Sequence, residues 1–535
     1  MNKRIASTRV AIASVVALSL LLSACSKNES KGNSASSSPS PSASAAGSAK
    51  PSDSGKKTDL PPVELSWYLP ISPQKDTALV EAEINKYLKD KINATIKLNF
   101  IDFGAYESKM NTMTATGEVF DMAWTANWGF DFTRAVAKGS FAEMDELLPK
   151  YAPELNKKLE KYWNAIKIDN KIYGIPFNLT TVPQAQGVVL FKDLVDKYKF
   201  DTSKVKSLRD LEPFYDAVLK NEKDVTAIGT DNTHGGSFVN LFSPTWLQEG
   251  AFNTVGIIRL DDPNLKIVNQ YDQPEVKEAL KVARDWYQKG YFKKDVLAIK
   301  DPEQDFIAGK YASNFAGVAP GWDAGMGSRW KHPLVQVYWE NREQKPLATS
   351  TGLLSSMTAI SKTSKNKERA MMFLNLVNTD PVLYNLLGFG IEGKHYKIIK
   401  KVGDRPDQVL VGDPDGVDPK ANGYSHQLEW MFGDPWNAYQ RSEASLGVSK
   451  LQQDWLAKAQ VSPIFGWNFN GEKVADKLAT VATVVSQYWI PLSIGAVDPD
   501  VELPKFLEKL KNAGADAIIA EKQKQLDAWK ATQKK

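Results

Sequence analysis

Fifteen tryptophans stand in this chain of 535 residues, and several fall beside Asn, Asp, Gly or Pro, where a loop is expected ahead of a helix core. An indole is rigid, flat and half-polar, which suits it to stack on the apolar face of a sugar ring. A second piece of chemistry sits near the start. Lys3, Arg4 and Arg9 precede a short apolar run, Val10 to Leu22, which ends in Leu22-Ser23-Ala24-Cys25. This has the form of an export signal. Roughly 13 apolar or small residues are too few for a hydrocarbon core that needs about 20, so a permanent transmembrane helix is the weaker reading. The small residues before the cysteine form a lipobox-like motif. Cleavage before Cys25 and a diacylglycerol thioether on its sulfur are therefore expected, at the outer face of a bacterial membrane. Cys25 is the only cysteine. Lipidation consumes it, and the mature chain then has no disulfide and no cysteine-ligated metal.

Catalytic and cofactor signatures are sparse. Gly388-Phe389-Gly390-Ile391-Glu392-Gly393 matches a dinucleotide pattern by letter. It follows an apparent helix, Met371 to Leu387, where the pattern requires a strand, so it reads as a loop. There is no Walker sequence, no His-Glu-x-x-His and no Gly-x-Ser-x-Gly elbow. His234, His332, His395 and His426 are too few and too scattered for a zinc cluster. No cofactor is expected, and a calcium ion bracing a loop stays open. The formal charge is +4, and loss of Lys3, Arg4 and Arg9 with the signal leaves +1. Such a balance offers no basic face for nucleic acid.

Behind these residues lie the elements that must position them. Ser26 to about Leu60 is made largely of Ser, Ala, Pro, Gly and Lys and cannot bury a core. About 35 such residues give a flexible tether with an end-to-end distance of roughly 30–35 Å. From Pro61 onward the chain is too long for one hydrophobic core, and two or more lobes are expected. Val63 to Leu69 reads as a strand, and Thr77 to Lys89 carries apolar residues at helical spacing. Ala94 to Ile101 alternates as a strand, Tyr106 to Thr116 forms a helix closed by Gly117, and Val119 to Trp124 is another strand. This alternation implies an α/β fold with mainly parallel sheets covered by helices. Ligands of such sheets sit at the carboxyl ends of strands, and Trp124, Asn127 and Trp128 lie just past such an end.

Four passages then resemble a known family, the extracellular solute-binding proteins of the maltose-binding type that serve ATP-driven sugar importers. They are Gly117 to Trp124, Lys171-Ile172-Tyr173-Gly174-Ile175-Pro176, Ala308-Gly309-Lys310-Tyr311-Ala312, and Met357 to Lys362 with Glu368 to Leu374. The end, Ala513 to Glu521 and Gln525 to Trp529, is similar to the C-terminal extension of a lipoprotein subgroup. The resemblance implies a two-lobed fold of the second structural class, with ligand enclosed at a hinge crossed twice, near Tyr173 to Pro176 and near Thr358 to Ile360. The first lobe would be 61–178 and 348–420. The second would be 179–347 and 421–535, with the helical extension. The implied partners are a carbohydrate, an importer permease and, through the anchor, the membrane, for a chain that works as a monomer.

Ligand contacts are expected from Trp124, Asn127 and Trp128, because the matching loop of relatives supplies stacking and hydrogen bonds. A core role for one of the two indoles stays open. Trp322 follows the strand-then-loop passage Phe315 to Gly321 and is expected to stack. Asp323 could accept hydrogen bonds from two hydroxyls, or act as a turn or helix cap. Trp246, in a Gly-rich stretch near His234-Gly235-Gly236-Ser237, and Trp436, in Gly433-Asp434-Pro435-Trp436-Asn437 of the second lobe, complete the candidates. Two rival readings remain. A surface glycoside hydrolase would need two carboxylates about 5 to 9.5 Å apart, and the sequence offers no such pair. A peptide-binding or adhesive lipoprotein would need groups for both peptide ends.

Overall fold

Alternation builds the first sheet. In β1 (Val63–Leu69) the side chains of Leu65, Trp67 and Leu69 are buried on one face, and Ser66 and Tyr68 face the other way. β2 (Ala94–Phe100) and β3 (Met122–Thr125) pair with it in parallel on its two sides. The helix Thr77–Ile92 joins β1 to β2, burying Val80, Ile84, Leu88 and Ile92 at intervals of four residues. Asn93, at φ 45°, ends that helix in the left-handed region. The computed structural model describes residues 60–177, 185–230, 246–247, 255–259, 262–299, 302–338, 347–418, 422–424 and 430–533. Residues 57–535 make one compact unit. Cys25 and the tether up to residue 59 lie outside the described residues, as do His234 to Ser237.

The fold is α/β and two-lobed. The first sheet continues through β4 (Ile175–Pro176), in the order β2-β1-β3-β13-β4, where β13 is Met357–Ile360. The second sheet has the order β11-β5-β10-β6, from β5 (Ala185–Phe191), β6 (Thr226–Ile228), β10 (Tyr311–Val318) and β11 (Leu334–Tyr338). Both sheets are mixed. Their antiparallel pairs all involve β13, β4, β5 or β11, the strands that leave or approach a crossing between lobes. A small antiparallel sheet of β7 (Trp246–Leu247), β8 (Ile257–Arg259) and β9 (Ile267–Val268) belongs to the second lobe, whose core takes in Val255, Ile258 and Ile267.

Two large apolar cores follow. The first joins residues of the 65–175 stretch to residues from Leu353 to Ala438, and the second joins Val188 to Val337 with Ile464 to Leu526. The core boundary differs from the sequence expectation at one point. Tyr424, Met431, Phe432 and Ala438, expected in the second lobe, are buried in the first core. A further difference follows from it. The chain leaves the first core after Ala438 and enters the second at Ile464, so the third change of lobe, which the expected bounds put at 420/421, falls between those residues. The third crossing exists because the helices Ala475–Ile494, Pro499–Asn512 and Ala515–Gln533 bury Val485, Phe506 and Leu526 against the second core. On its way β16 (Gln460–Val461) pairs in parallel with β12 (Leu347–Ala348) of the second crossing.

Candidate ligand-binding site

Register brings the strand ends together. Met357, the first residue of β13, pairs with both Thr125 and Pro176, so the carboxyl ends of β3 and β4 share the edge where the chain crosses. In the second lobe Ala185, at the start of β5, pairs with Val318 at the end of β10. Each lobe therefore turns toward the crossings the strand ends from which its candidate loops emerge.

After β3 the chain makes a tight turn held by its own hydrogen bonds. Ala126 donates to the carbonyl of Gly129 at 3.1 Å, Phe132 to that of Ala126 at 2.9 Å, and the Thr125 hydroxyl to that of Phe130 at 2.5 Å. Phe130 is buried at φ 41°, a conformation uncommon for a residue with a side chain, and the surrounding core holds it there. Trp128 stands at the outer part of this turn with 43% of its surface exposed. Its ring lies nearly parallel to those of Phe103 and Trp430, at 22° and 28°, with centroids 5.7 and 6.0 Å away. Phe103 and Trp430 are themselves 50% and 40% exposed, so three rings form one open apolar platform.

Trp124 lies beneath the platform, edge-on to Trp128 at 5.3 Å and to Trp430 at 5.6 Å. At 1% exposure it has no face left for a ligand, which corrects its expected contact role to that of a floor. Its indole N–H donates to the Ser356 hydroxyl at 2.9 Å. The Tyr106 hydroxyl reaches the carbonyls of Trp124 and Tyr68 at 2.8 and 3.1 Å, and burial pushes its phenol well above the ordinary value. Asn127 donates its main-chain N–H to Leu354 O and its amide to Thr351 O, both at 2.9 Å. Its Oδ1 is buried without a hydrogen-bond partner. Asn127 thus ties the turn to the second crossing.

Trp322 and Asp323 stand on the other lobe. Gly321, at φ 80°, turns the chain after β10 into the helix Trp322–Trp330, whose first residue is half-buried. Asp323 accepts from the Gln336 amide at 2.7 Å and so pins this helix to β11, which leaves its carboxylate partly committed. Trp436 belongs to the short turn Pro435–Asn437, and this turn is fixed to the first core and not, as expected, to the second. Asp434 is buried in an ion pair with Lys158, and the Asn437 amide donates to Asn378 O at 3.2 Å. Its indole N–H donates to Gln452 Oε1 at 2.9 Å, and Gln452 Nε2 donates to Pro320 O at 3.2 Å. Trp436 and the Trp322 loop are thereby linked through the helix Val448–Ala457. Trp246 occupies β7 opposite Arg259, and its side chain is outside the described residues.

Phe103 and Trp430 were not among the sequence candidates. Phe103 opens a helix directly after β2, a position that could have flagged it, and Trp430 is about 300 residues from its stacking partner. A cavity of about 420 Å³ adjoins the ends of β1 and β2 and includes Tyr68, Gln74, Asn99 and Lys109. A larger one, about 520 Å³, lies between the helix Trp322–Trp330 and residues 442–451, among Asp323, Lys331 and Ser442. The platform itself is open surface, and its exposed aromatic rings, more than cavity size, make it the candidate. Among the described residues no group of three or more His, Cys, Asp or Glu side chains is arranged to hold a metal ion.

The comparisons agree with this architecture. A family model described as bacterial extracellular solute-binding protein matches residues 82–389, and a domain of unknown function (DUF3502) matches residues 463–531. The chain belongs to the bacterial extracellular solute-binding protein family. A carbohydrate ABC transporter substrate-binding protein of Streptococcus pneumoniae serotype 4 is 30% identical over 97% of both chains. Lipoprotein LipO of Bacillus subtilis is 22% identical over 58% of this chain and 64% of its own. The crystal structure of the N-glycan transport solute-binding protein NgtS from Streptococcus pneumoniae is 27% identical. It superposes with a TM-score of 0.75 over 88% of this chain and 99% of that one. Its complex with Man5GlcNAc gives 0.68 at 28% identity, over 88% and 98%.

Proposed function

We propose that this protein captures an oligosaccharide between its two lobes, stacking sugar rings on Phe103, Trp128 and Trp430, and presents it to an ABC importer at the outer membrane face. The observation that carries the reading is the open three-ring platform at the carboxyl end of β3. A row of exposed aromatic rings matches a row of pyranose faces, because each ring stacks on an apolar patch of carbon-bound hydrogens. Trp322 would close from the other lobe, so that ligand touching both sides stabilises the closed state. The carbohydrate and N-glycan names of the similar proteins support the same class of ligand.

The protein acts by binding, without turnover and without a cofactor. Calorimetry of the full chain against mannose- and glucose-based oligosaccharides, Man5GlcNAc among them, tests this. Saturable binding that survives EDTA, with no cleavage products by mass spectrometry, is the expected result. Cleavage would make the protein a glycoside hydrolase, and binding to a peptide panel alone would overturn the sugar reading. Anchoring at Cys25 predicts that Cys25→Ala releases the protein from cells and abolishes incorporation of labelled palmitate. Retained label would refute it.

A further inference from the structure

The hinge and the platform meet at one hydroxyl. Ser356 immediately precedes β13, where the second crossing enters the first sheet, and only 3% of it is exposed. Its carbonyl accepts from the N–H of Phe177, at 2.9 Å, the residue that follows β4 into the first crossing. Its Oγ accepts the Trp124 indole N–H at 2.9 Å and directs its own proton to the carbonyls of Trp430 and Met431, at 3.0 and 3.2 Å. The neighbouring carbonyl, that of Ser355, takes the Trp128 indole N–H at 2.7 Å. Floor and platform are therefore fixed to two adjacent residues of the crossing: Trp124 and Trp128 through their indoles, and Trp430 through its main chain.

A hydroxyl both donates and accepts, and Ser356 uses both capacities in a space closed to water. Alanine would supply neither and would leave the buried Trp124 N–H without an acceptor, a state proteins avoid. We propose that Ser356 is the positioning residue that couples the aromatic platform to the hinge, so that ring geometry and lobe closure change together. It touches no ligand and acts through Trp124 and Trp430. Its bond to Phe177 carries the same link into the first crossing, so both crossings adjoin one polar junction beneath the rings. The functional arm of this inference rests on the reading of the platform as a sugar site; the junction itself does not.

Fluorine NMR of the full chain labelled with 5-fluorotryptophan reads the indoles with no ligand present. Ser356→Ala is expected to shift and broaden the Trp124 and Trp430 resonances, assigned by Trp→Phe variants, and to leave those of Trp322 and Trp436 in place. Calorimetry with Man5GlcNAc is expected to show about a tenfold weaker affinity at unchanged circular dichroism. Ser356→Thr, which keeps the hydroxyl, should restore spectrum and affinity. Adding Trp430→Ala to Ser356→Ala should cost less than the two single losses combined, because both act on one unit. Wild-type resonances in Ser356→Ala, or fully additive losses, overturn the proposal. If Man5GlcNAc does not bind the wild-type protein, the sugar reading suffers and the resonances alone decide the coupling. If Ser356→Ala does not fold, Ser356→Cys, a weaker acceptor of similar volume, is read by the same criteria.

Discussion

Trp128→Ala removes the middle ring of the platform, and the size of its effect can be worked from exposure. A tryptophan presents up to about 250 Å², and 43% of this one is open, which leaves roughly 100 Å² for a ligand to cover. At about 25 cal/mol per Å² that area is worth at most about 2.5 kcal/mol, or roughly a sixtyfold change in affinity. A sugar ring covers part of it, so a loss between about tenfold and sixtyfold is expected. Stability should fall by about 1–3 kcal/mol, through two lost ring contacts and the indole bond to Ser355. Trp124→Ala, a deletion of a buried ring, should instead cost about 3–5 kcal/mol of stability. Calorimetry with Man5GlcNAc and urea unfolding, run on both variants, separate the two roles. Trp128→Phe keeps a flat ring and should retain most of the affinity. Wild-type affinity in Trp128→Ala would refute the assignment of the platform as the site.

Three further outcomes follow from other parts of the fold. Lys522 is buried and its ammonium donates to Val255 O and Gly256 O at 2.9 and 3.0 Å, so Lys522→Met should destabilise the protein by about 2–3 kcal/mol in urea unfolding; an unchanged midpoint would show the clamp to be idle. Burial pushes the His395 imidazole below its ordinary value while Nδ1 accepts from Ile391 and Nε2 faces Asp76, whose carboxyl is lowered in turn, first by that hydrogen bond. Because the unfolded imidazole takes up its proton near pH 6.5 and the folded one resists, the stability contributed is full above that pH and declines as pH falls below it. The urea midpoint should therefore drop between pH 7.5 and 5.5, more steeply than in His395→Gln, and equal slopes would contradict this. Gly321→Ala would set a Cβ 1.9 Å from Val448 Cγ2 at φ 80°, so it should destabilise the protein and be partly rescued by Val448→Ala in thermal unfolding; no rescue would mean that backbone strain alone is responsible.

Much of the fold was legible because periodicity is local. The strand Val63–Leu69 and the helix Thr77–Ile92 declare themselves in alternation and in four-residue spacing, and so does the loop that presents Trp128. Legibility ended where partners are distant in sequence. Trp124 and Trp128 are four residues apart and equally aromatic, yet one is floor and the other surface. The difference is made by Ser356, Trp430 and the crossing, some 230 to 300 residues away. The third change of lobe, expected at 420/421, was misplaced for the same reason, since nothing local in Ala438 to Ile464 says which core each end joins. Trp436 was assigned to the wrong lobe because its anchors, Lys158 for the neighbouring Asp434 and Asn378 for Asn437, are tertiary.

The most direct test of the central claim is a crystal structure of the protein with a bound oligosaccharide. Sugar rings stacked on Phe103, Trp128 or Trp430, with the second lobe closed over them through the Trp322 loop, are the predicted result. A sugar bound away from these three rings, or held by one lobe with the other left open, would contradict it.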